Sequence, residues 1–223
     1  MGSPSGFGVM VGKMCEEAGI SCWTLCVNTP AKTQQGFKTI FSLPINSEMT
    51  GYMGLVMLKA IGENYLGRMP KTIAMLHADN EFSNQNTASW KKHAPSFGFK
   101  VVEAVPYTWP VKDITPFVLK VKAANPEVLF ISEVGEAAQV ERALDVLGWD
   151  PLRIGLQSSY MSVGIIEALK ERAENLIGQG WYCEGATPDS TVFAKNFKAR
   201  FGYDADSLSA VGYQNMYVIK MAI

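Results

Sequence analysis

The middle of the chain repeats one hydrophobic pattern. Lys71-Thr-Ile-Ala-Met-Leu-His77 is a short apolar run that ends at the turn formers Ala78-Asp79-Asn80, and a helical stretch rich in polar residues follows it to Phe97. Val101 to Tyr107 is the next run, with helical spacing after it from Asp113 to Ala124. Glu127 to Glu133 is the third, followed by Glu136 to Leu147 and a closing Gly148. Apolar runs of about 5–7 residues alternating with helices of about ten or more predict βαβ units and a parallel sheet. Such a sheet binds ligands beyond the carboxyl ends of its strands. Those ends read Ala78-Asp79-Asn80, Tyr107-Thr108-Trp109 and Ser132-Glu133-Val134.

The flanks follow the same alternation less regularly. A helix is predicted from Phe7 to Ala18, with Gly19 just past its end and Ser3 or Ser5 available to cap its start. Ile20 to Leu25 reads as a strand, Asn28 to Gly36 as a polar loop, and Phe37 to Leu43 as a half-exposed strand stopped by Pro44. A long helix runs from Ser47 to Tyr65. Beyond Gly148 come a fourth strand at Arg153 to Gln157, a helix at Val163 to Ala173, and an extended stretch from Leu176 to Glu184. Thr187 caps a helix to Phe201, and a last helix starts at Leu208. It carries no stop signal before Ile223, and no strand precedes the first helix, so the expectation is a piece of a longer protein. Val9, Met10, Met14, Phe193, Phe197, Met216 and Val218 should then be partly bare.

Composition narrows the function classes. Charge is balanced, 20 basic against 21 acidic residues, and no basic run gives an electrostatic case for nucleic acid. No apolar stretch approaches the roughly 18–20 residues of a membrane span, so a soluble globular chain is expected. The four cysteines, Cys15, Cys22, Cys26 and Cys183, form no CxxC pair, and His77 and His93 are the only histidines. That argues against a zinc site and leaves buried thiols or a disulfide open. Neither a cofactor motif nor a nucleophile elbow occurs. The glycines of Gly6-Phe-Gly8 and Gly12 miss the dinucleotide spacing by one.

In order, these features resemble the type I periplasmic binding proteins, in particular the branched-chain amino-acid and amide group that serves ABC importers. Glu16-Glu-Ala-Gly-Ile20, Asn28-Thr-Pro-Ala-Lys-Thr-Gln-Gln-Gly-Phe37, Phe41-Ser-Leu-Pro44, Lys71 to His77, Asp113-Ile-Thr-Pro-Phe117, Lys122-Ala-Ala-Asn-Pro-Glu-Val128 and Ala173 to Gly180 carry the resemblance. It implies a two-lobed α/β fold with parallel sheets flanked by helices. Residues 46–180 would be a complete lobe two, and 1–45 with 181–223 parts of an incomplete lobe one. It also implies a non-catalytic solute receptor without cofactor, periplasmic or extracellular and membrane-associated, with a small ligand and a membrane permease as partners.

The resemblance places ligand-binding groups at particular residues. Ser5 and Gly6, at the start of the first helix, match the loop that grips a carboxylate through hydroxyls and backbone N–H groups, where the dipole also favours an anion; capping the helix is the other role open to them. Cys26 and Asn28 fall where the family places a backbone contact and a Thr hydroxyl. Asn28 departs from that Thr, and a turn residue is the alternative. Phe82 stands where a ring closes over the ligand, or in the core. Glu133 ends the third strand at a ligand-facing position, or is a solvated acid at a loop. The acid that meets an amine after the fourth strand is replaced by Gln157 and Ser158, which favours an amide or carboxylate over a free α-amino acid. Trp109, Trp181 and Tyr182 lie near the cleft by topology, either lining an apolar or aromatic pocket or serving as ordinary core or hinge residues. Two competing classes are an enzyme on the same layers, with His77 as a base lacking a fixed acid partner, and a ligand-sensing domain of a receptor or regulator.

Overall fold

A computed structural model describes residues 4–24, 28, 34–132, 136–156, 160–161, 163–173 and 176–223, without the side chains of 4–6 and 163. The chain divides into two compact units, one of Ser47–Gln179 and one of Met1–Asn46 with Gly180–Ile223.

The Ser47–Gln179 unit contains the repeating pattern. Helix α2 (Ser47–Asn64) leads into β3 (Thr72–Ala78), α3 (Glu81–His93), β4 (Lys100–Tyr107), α4 (Thr115–Ala123), β5 (Val128–Ser132), α5 (Ala137–Val146), β6 (Leu152–Gly155), α6 (Val163–Leu169) and β7 (Ile177–Gly178). All five strands are parallel, in the order β4-β3-β5-β6-β7. Helices cover both faces, so every residue of β5 is buried. Alternation along β3 then sorts its side chains into two cores. Ile73 and Met75 meet Leu55, Leu58, Trp90 and Phe130 on one face. Ala74 and Leu76 meet Val118, Ile131, Val140 and Leu144 on the other. Burying each of the larger side chains, such as Ile73, Met75, Leu76 or Phe130, contributes about 1.5–3 kcal/mol.

The other unit holds α1 (Pro4–Ala18), β1 (Cys22–Thr24), β2 (Ile40–Ser42), α7 (Pro188–Phe201) and α8 (Ser207–Ala222). β1 and β2 pair in parallel, with Trp23 stacked on Phe41 at 4.8 Å between ring centroids. Thr187 and Ser190 form a reciprocal cap at the start of α7, and Asp206 caps α8. Met10, Met14, Met216 and Val218 are exposed. Among the described residues no helix is long and apolar enough to cross a membrane.

Several boundaries differ from the sequence reading, each for a local reason. α1 starts at Pro4 rather than Phe7, because proline suits the first helical turn; Ser5 therefore lies inside the helix and does not cap it. β1 starts at Cys22 rather than Ile20, and Leu25 lies outside the described residues. Gly19 takes a left-handed φ of +66°, and the Ile20 N–H closes the helix end on the Cys15 carbonyl at 2.9 Å. α3 stops at His93 and tightens to a 3₁₀ turn over Ala94–Phe97, where Pro95 lacks a donor. Lys170, at φ +53°, converts the end of α6 to a 3₁₀ turn over Lys170–Ala173. The stretch from Leu176 to Glu184 pairs only at Ile177 and Gly178, because its partner β6 ends at Gly155.

Candidate functional site

Strand order 2-1-3-4-5 reverses direction between its first and third strands, here β3 and β5. Outside the carboxyl ends of those two strands a doubly wound sheet has its crevice. The register sets His77 of β3 beside Ser132 of β5 at that edge.

What lies there is polar and buried. Ser132, Ser83 and Asn86 are inaccessible to solvent. The Ser83 hydroxyl donates to the Ser132 carbonyl at 2.7 Å, and the Asn86 amide donates to the Ser132 hydroxyl at 3.3 Å. Two side chains one helical turn apart thus pin the start of α3 to the end of β5. Asn80 caps α3, its Oδ1 accepting from the Ser83 N–H at 3.0 Å. Asp79 donates its N–H to the Tyr107 carbonyl at 2.8 Å, and its carboxylate accepts from Asn84 at 2.9 Å. On the other side of the sheet the Tyr107 hydroxyl donates to Glu136 at 3.3 Å, both residues buried. The result is a cross-braced polar rim at the carboxyl ends of the strands, its short side chains and backbone N–H groups bonded to one another.

His77 is 4% exposed, and its Nδ1 lies 3.2 Å from the Ala78 carbonyl. Burial lowers its pKa more than that contact raises it. It is a neutral ring at neutral pH, suited to hydrogen bonding. Phe82, 7% exposed in the first turn of α3, belongs to neither apolar core.

Of the other residues singled out from sequence, Ser5 and Gly6 lie in the first turn of α1, where backbone N–H groups lack helical acceptors. Asn28 is 2% exposed. Cys26, Glu133, Gln157 and Ser158 lie outside the described residues. Trp109 is exposed, and Trp181 and Tyr182 are half-buried. Sequence reasoning placed Ser132 among the strand ends but missed Ser83, Asn86 and Glu136. The signal for Ser132 was its hydroxyl at the end of the otherwise apolar run Val128 to Ile131; that for Ser83 and Asn86 was their three-residue spacing.

A separate hollow of about 440 Å³ lies at the amino end of β6, lined by Glu141, Asp145, Asp150, Arg153 and Arg172 among others. Both its arginines are paired within it, Arg153 with Glu141 and Asp150 and Arg172 with Asp145. Among the described residues no group of three or more His, Cys, Asp or Glu is placed to hold a metal.

In the other unit Glu16 ties α1 to β2. Its carboxylate accepts from the Lys38 N–H, the Thr39 N–H and the Thr39 hydroxyl at 2.9, 2.9 and 2.6 Å. The Thr39 hydroxyl, foremost among these donors, holds its pKa below the ordinary glutamate value. The charged form is therefore favoured on folding. Its contribution is present above the unfolded pKa and is lost as pH falls through the folded one. Carboxyl-carbon NMR should show Glu16 titrating below the usual range, and Thr39→Val should bring it back up. A titration unmoved by Thr39→Val would contradict this account of the shift. For the rim, Asn80→Ala should cost about 1 kcal/mol, as the loss of a helix cap does, in a denaturant titration. No measurable change would show that the cap is redundant.

Residues 23–223 match the model of a periplasmic binding protein family. The chain belongs to that family, and its helix-flanked parallel sheets are the type I fold of the class. It is similar in structure to the leucine binding protein LivK of Thermotoga maritima MSB8, with a TM-score of 0.81 and 20% identity, over 95% of this chain and 59% of that one. LivJ of Streptococcus pneumoniae, a branched-chain amino acid transporter substrate binding protein in complex with isoleucine, aligns with a TM-score of 0.81 and 12% identity over 97% and 61% of the two chains. A solute binding protein of an ABC transporter from R. palustris in complex with benzoate aligns at 0.78 and 14% over 94% and 57%. The chain thus spans about three fifths of the length of these relatives. No curated protein matches it in sequence.

Proposed function

We propose that this chain is the greater part of a solute-binding receptor of an ABC importer, working in the periplasm or at the outer face of the membrane. Residues 46–180 act as one lobe, and 1–45 with 181–223 contribute to the other. The lobes close by a hinge around a small amino-acid-like, amide or carboxylate ligand. The observation that carries the reading is the buried polar rim at the β3/β5 switch point, with His77, Ser132 and Phe82 at the place where such sheets take ligands. From the loops, Glu133, Gln157 and Ser158 complete the lobe-two contacts. Ser5, Gly6, Cys26 and Asn28 supply those of lobe one, the helix start receiving a carboxylate. Binding is reversible and no bond is made or broken.

Thermal unfolding of the protein against leucine, isoleucine, benzoate and a set of short amides and carboxylates tests this. A true ligand stabilises progressively with concentration, by about 2.7 kcal/mol at a hundredfold excess over Kd. Product formed from a bound compound would overturn the reading. Because Gln157 and Ser158 replace the amine-binding acid, an amide or carboxylate should shift the transition more than leucine does. Tight leucine binding that survives Glu133→Gln would contradict that preference.

A further inference from the structure

Cys15 and Cys22 are seven positions apart in sequence, but the chain folds back between them. α1 ends at Ala18, and Gly19 turns the backbone through its left-handed conformation. The Ile20 N–H then returns to the carbonyl of Cys15 itself at 2.9 Å. Two residues later Cys22 opens β1, its N–H held by the Thr39 carbonyl at 2.8 Å. The reversal therefore sets the first residue of β1 beside the last turn of α1. The two thiols are neighbours there, close enough for Cys15 to act on the Cys22 thiol. Both are free and half-buried, open enough for a small reagent to reach. Glu16, next to Cys15, is anchored to Thr39, whose carbonyl anchors Cys22, so both cysteines hang from the same short segment. Burial, and after it the Cys15 contact, raises the pKa of the Cys22 thiol.

We propose that Cys15 and Cys22 are a dithiol that closes to an intramolecular disulfide with a small-molecule or protein disulfide as oxidant. One cysteine thiolate attacks the oxidant's S–S bond and expels one thiolate, giving a mixed disulfide. The second cysteine, losing its proton, displaces the other thiolate. The protein gives up two protons and two electrons, and the oxidant becomes two thiols. The bond fastens α1 to β1 across the Gly19 turn. It would hold the helix whose first turn carries Ser5 and Gly6 against the strand that leads to Cys26 and Asn28. Persistence in the cell rests on the proposed periplasmic location, where disulfides last. The chemistry in vitro does not depend on it, nor on ligand binding.

The native protein is equilibrated with oxidised glutathione, free thiols are alkylated, and the chain is digested with trypsin and a glutamate-specific protease. Cleavage after Glu16 or Glu17 separates Cys15 from Cys22. The expected product is a peptide containing Cys15 linked to one containing Cys22 and Cys26, with Cys26 and Cys183 alkylated, and both peptides released by reductant. Cys26→Ser should leave the link in place, whereas Cys15→Ser and Cys22→Ser should each abolish it. Four alkylated cysteines after equilibration, or a link through Cys26 or Cys183 instead, would overturn the proposal. If either serine variant fails to fold, the peptide map of the wild type with that of Cys26→Ser decides alone.

Discussion

Replacing Trp90 by alanine will destabilise the protein by about 3–5 kcal/mol, the range for removing a fully buried tryptophan. The indole is inaccessible on the inner face of α3 and meets Phe130 of β5 edge-on. Leu55 and Leu58 of α2 and Ile154 and Leu156 on the β6 side complete its surroundings. Gly54 fixes how closely α2 approaches: a Cβ there would stand 3.0 Å from the indole and 3.1 Å from Leu156. Neighbours held so tightly between two helices and a sheet cannot collapse far into the space left by alanine, so the cavity cost adds to the transfer cost. The indole Nε1 has no hydrogen-bond partner among the described residues. Trp90→Phe gives up no hydrogen bond and should cost less than half as much. Urea midpoints at constant slope measure both; a loss below about 1 kcal/mol for alanine would show that the core repacks.

Glu141→Ala should rank next, at about 3–5 kcal/mol, the cost of breaking a buried ion pair from one side. Glu141 is 3% exposed on α5 and accepts from the Tyr160 hydroxyl, while the Arg153 Nε lies 3.2 Å from its other oxygen. Without it, the guanidinium, itself 11% exposed, retains among the described residues the largely solvated carboxylate of Asp150 and a long contact to the Pro151 carbonyl at 3.5 Å. Tyr160 lies over Gly155, where a Cβ would reach within 2.2 Å of its ring. Loosening Tyr160 therefore also frees the end of β6, just before Gln157 and Ser158. Burial, the largest influence, raises the pKa of Glu141 despite Tyr160 and Arg153. Its folded pKa thus exceeds its unfolded one, so the linked stabilisation is full below the unfolded value and is lost as pH rises through the folded one. Wild type should gain on Glu141→Gln as pH is lowered from neutrality. A difference that stays constant with pH would contradict the assignment.

The parallel sheet was legible because strands buried on both faces read as continuous apolar runs. Ile73 to Leu76 and Val128 to Ile131 show this, between helices long enough to display their period. The short pairings were not. β1 and β7 are two or three residues long, and their limits come from a left-handed glycine at position 19 and from the end of a partner strand at Gly155. No window of sequence carries either fact. At the candidate site the loop positions after the strands could be named in advance, since topology alone puts them there. Ser83 and Asn86 could not, because short polar residues on a helix ordinarily read as its solvated face. The packing of α3 on β5 turns Ser83 and Asn86 inward against Ser132.

Hydrogen exchange with and without the panel compound that most raises the unfolding temperature tests the receptor reading most directly. The account predicts that saturating ligand slows exchange at Asp79 to Ser83 and at Ser132, the rim of the β3/β5 switch point, and leaves the hollow at Glu141, Arg153 and Arg172 unchanged. Unaltered exchange at the rim, with slowing confined to that hollow, would contradict it.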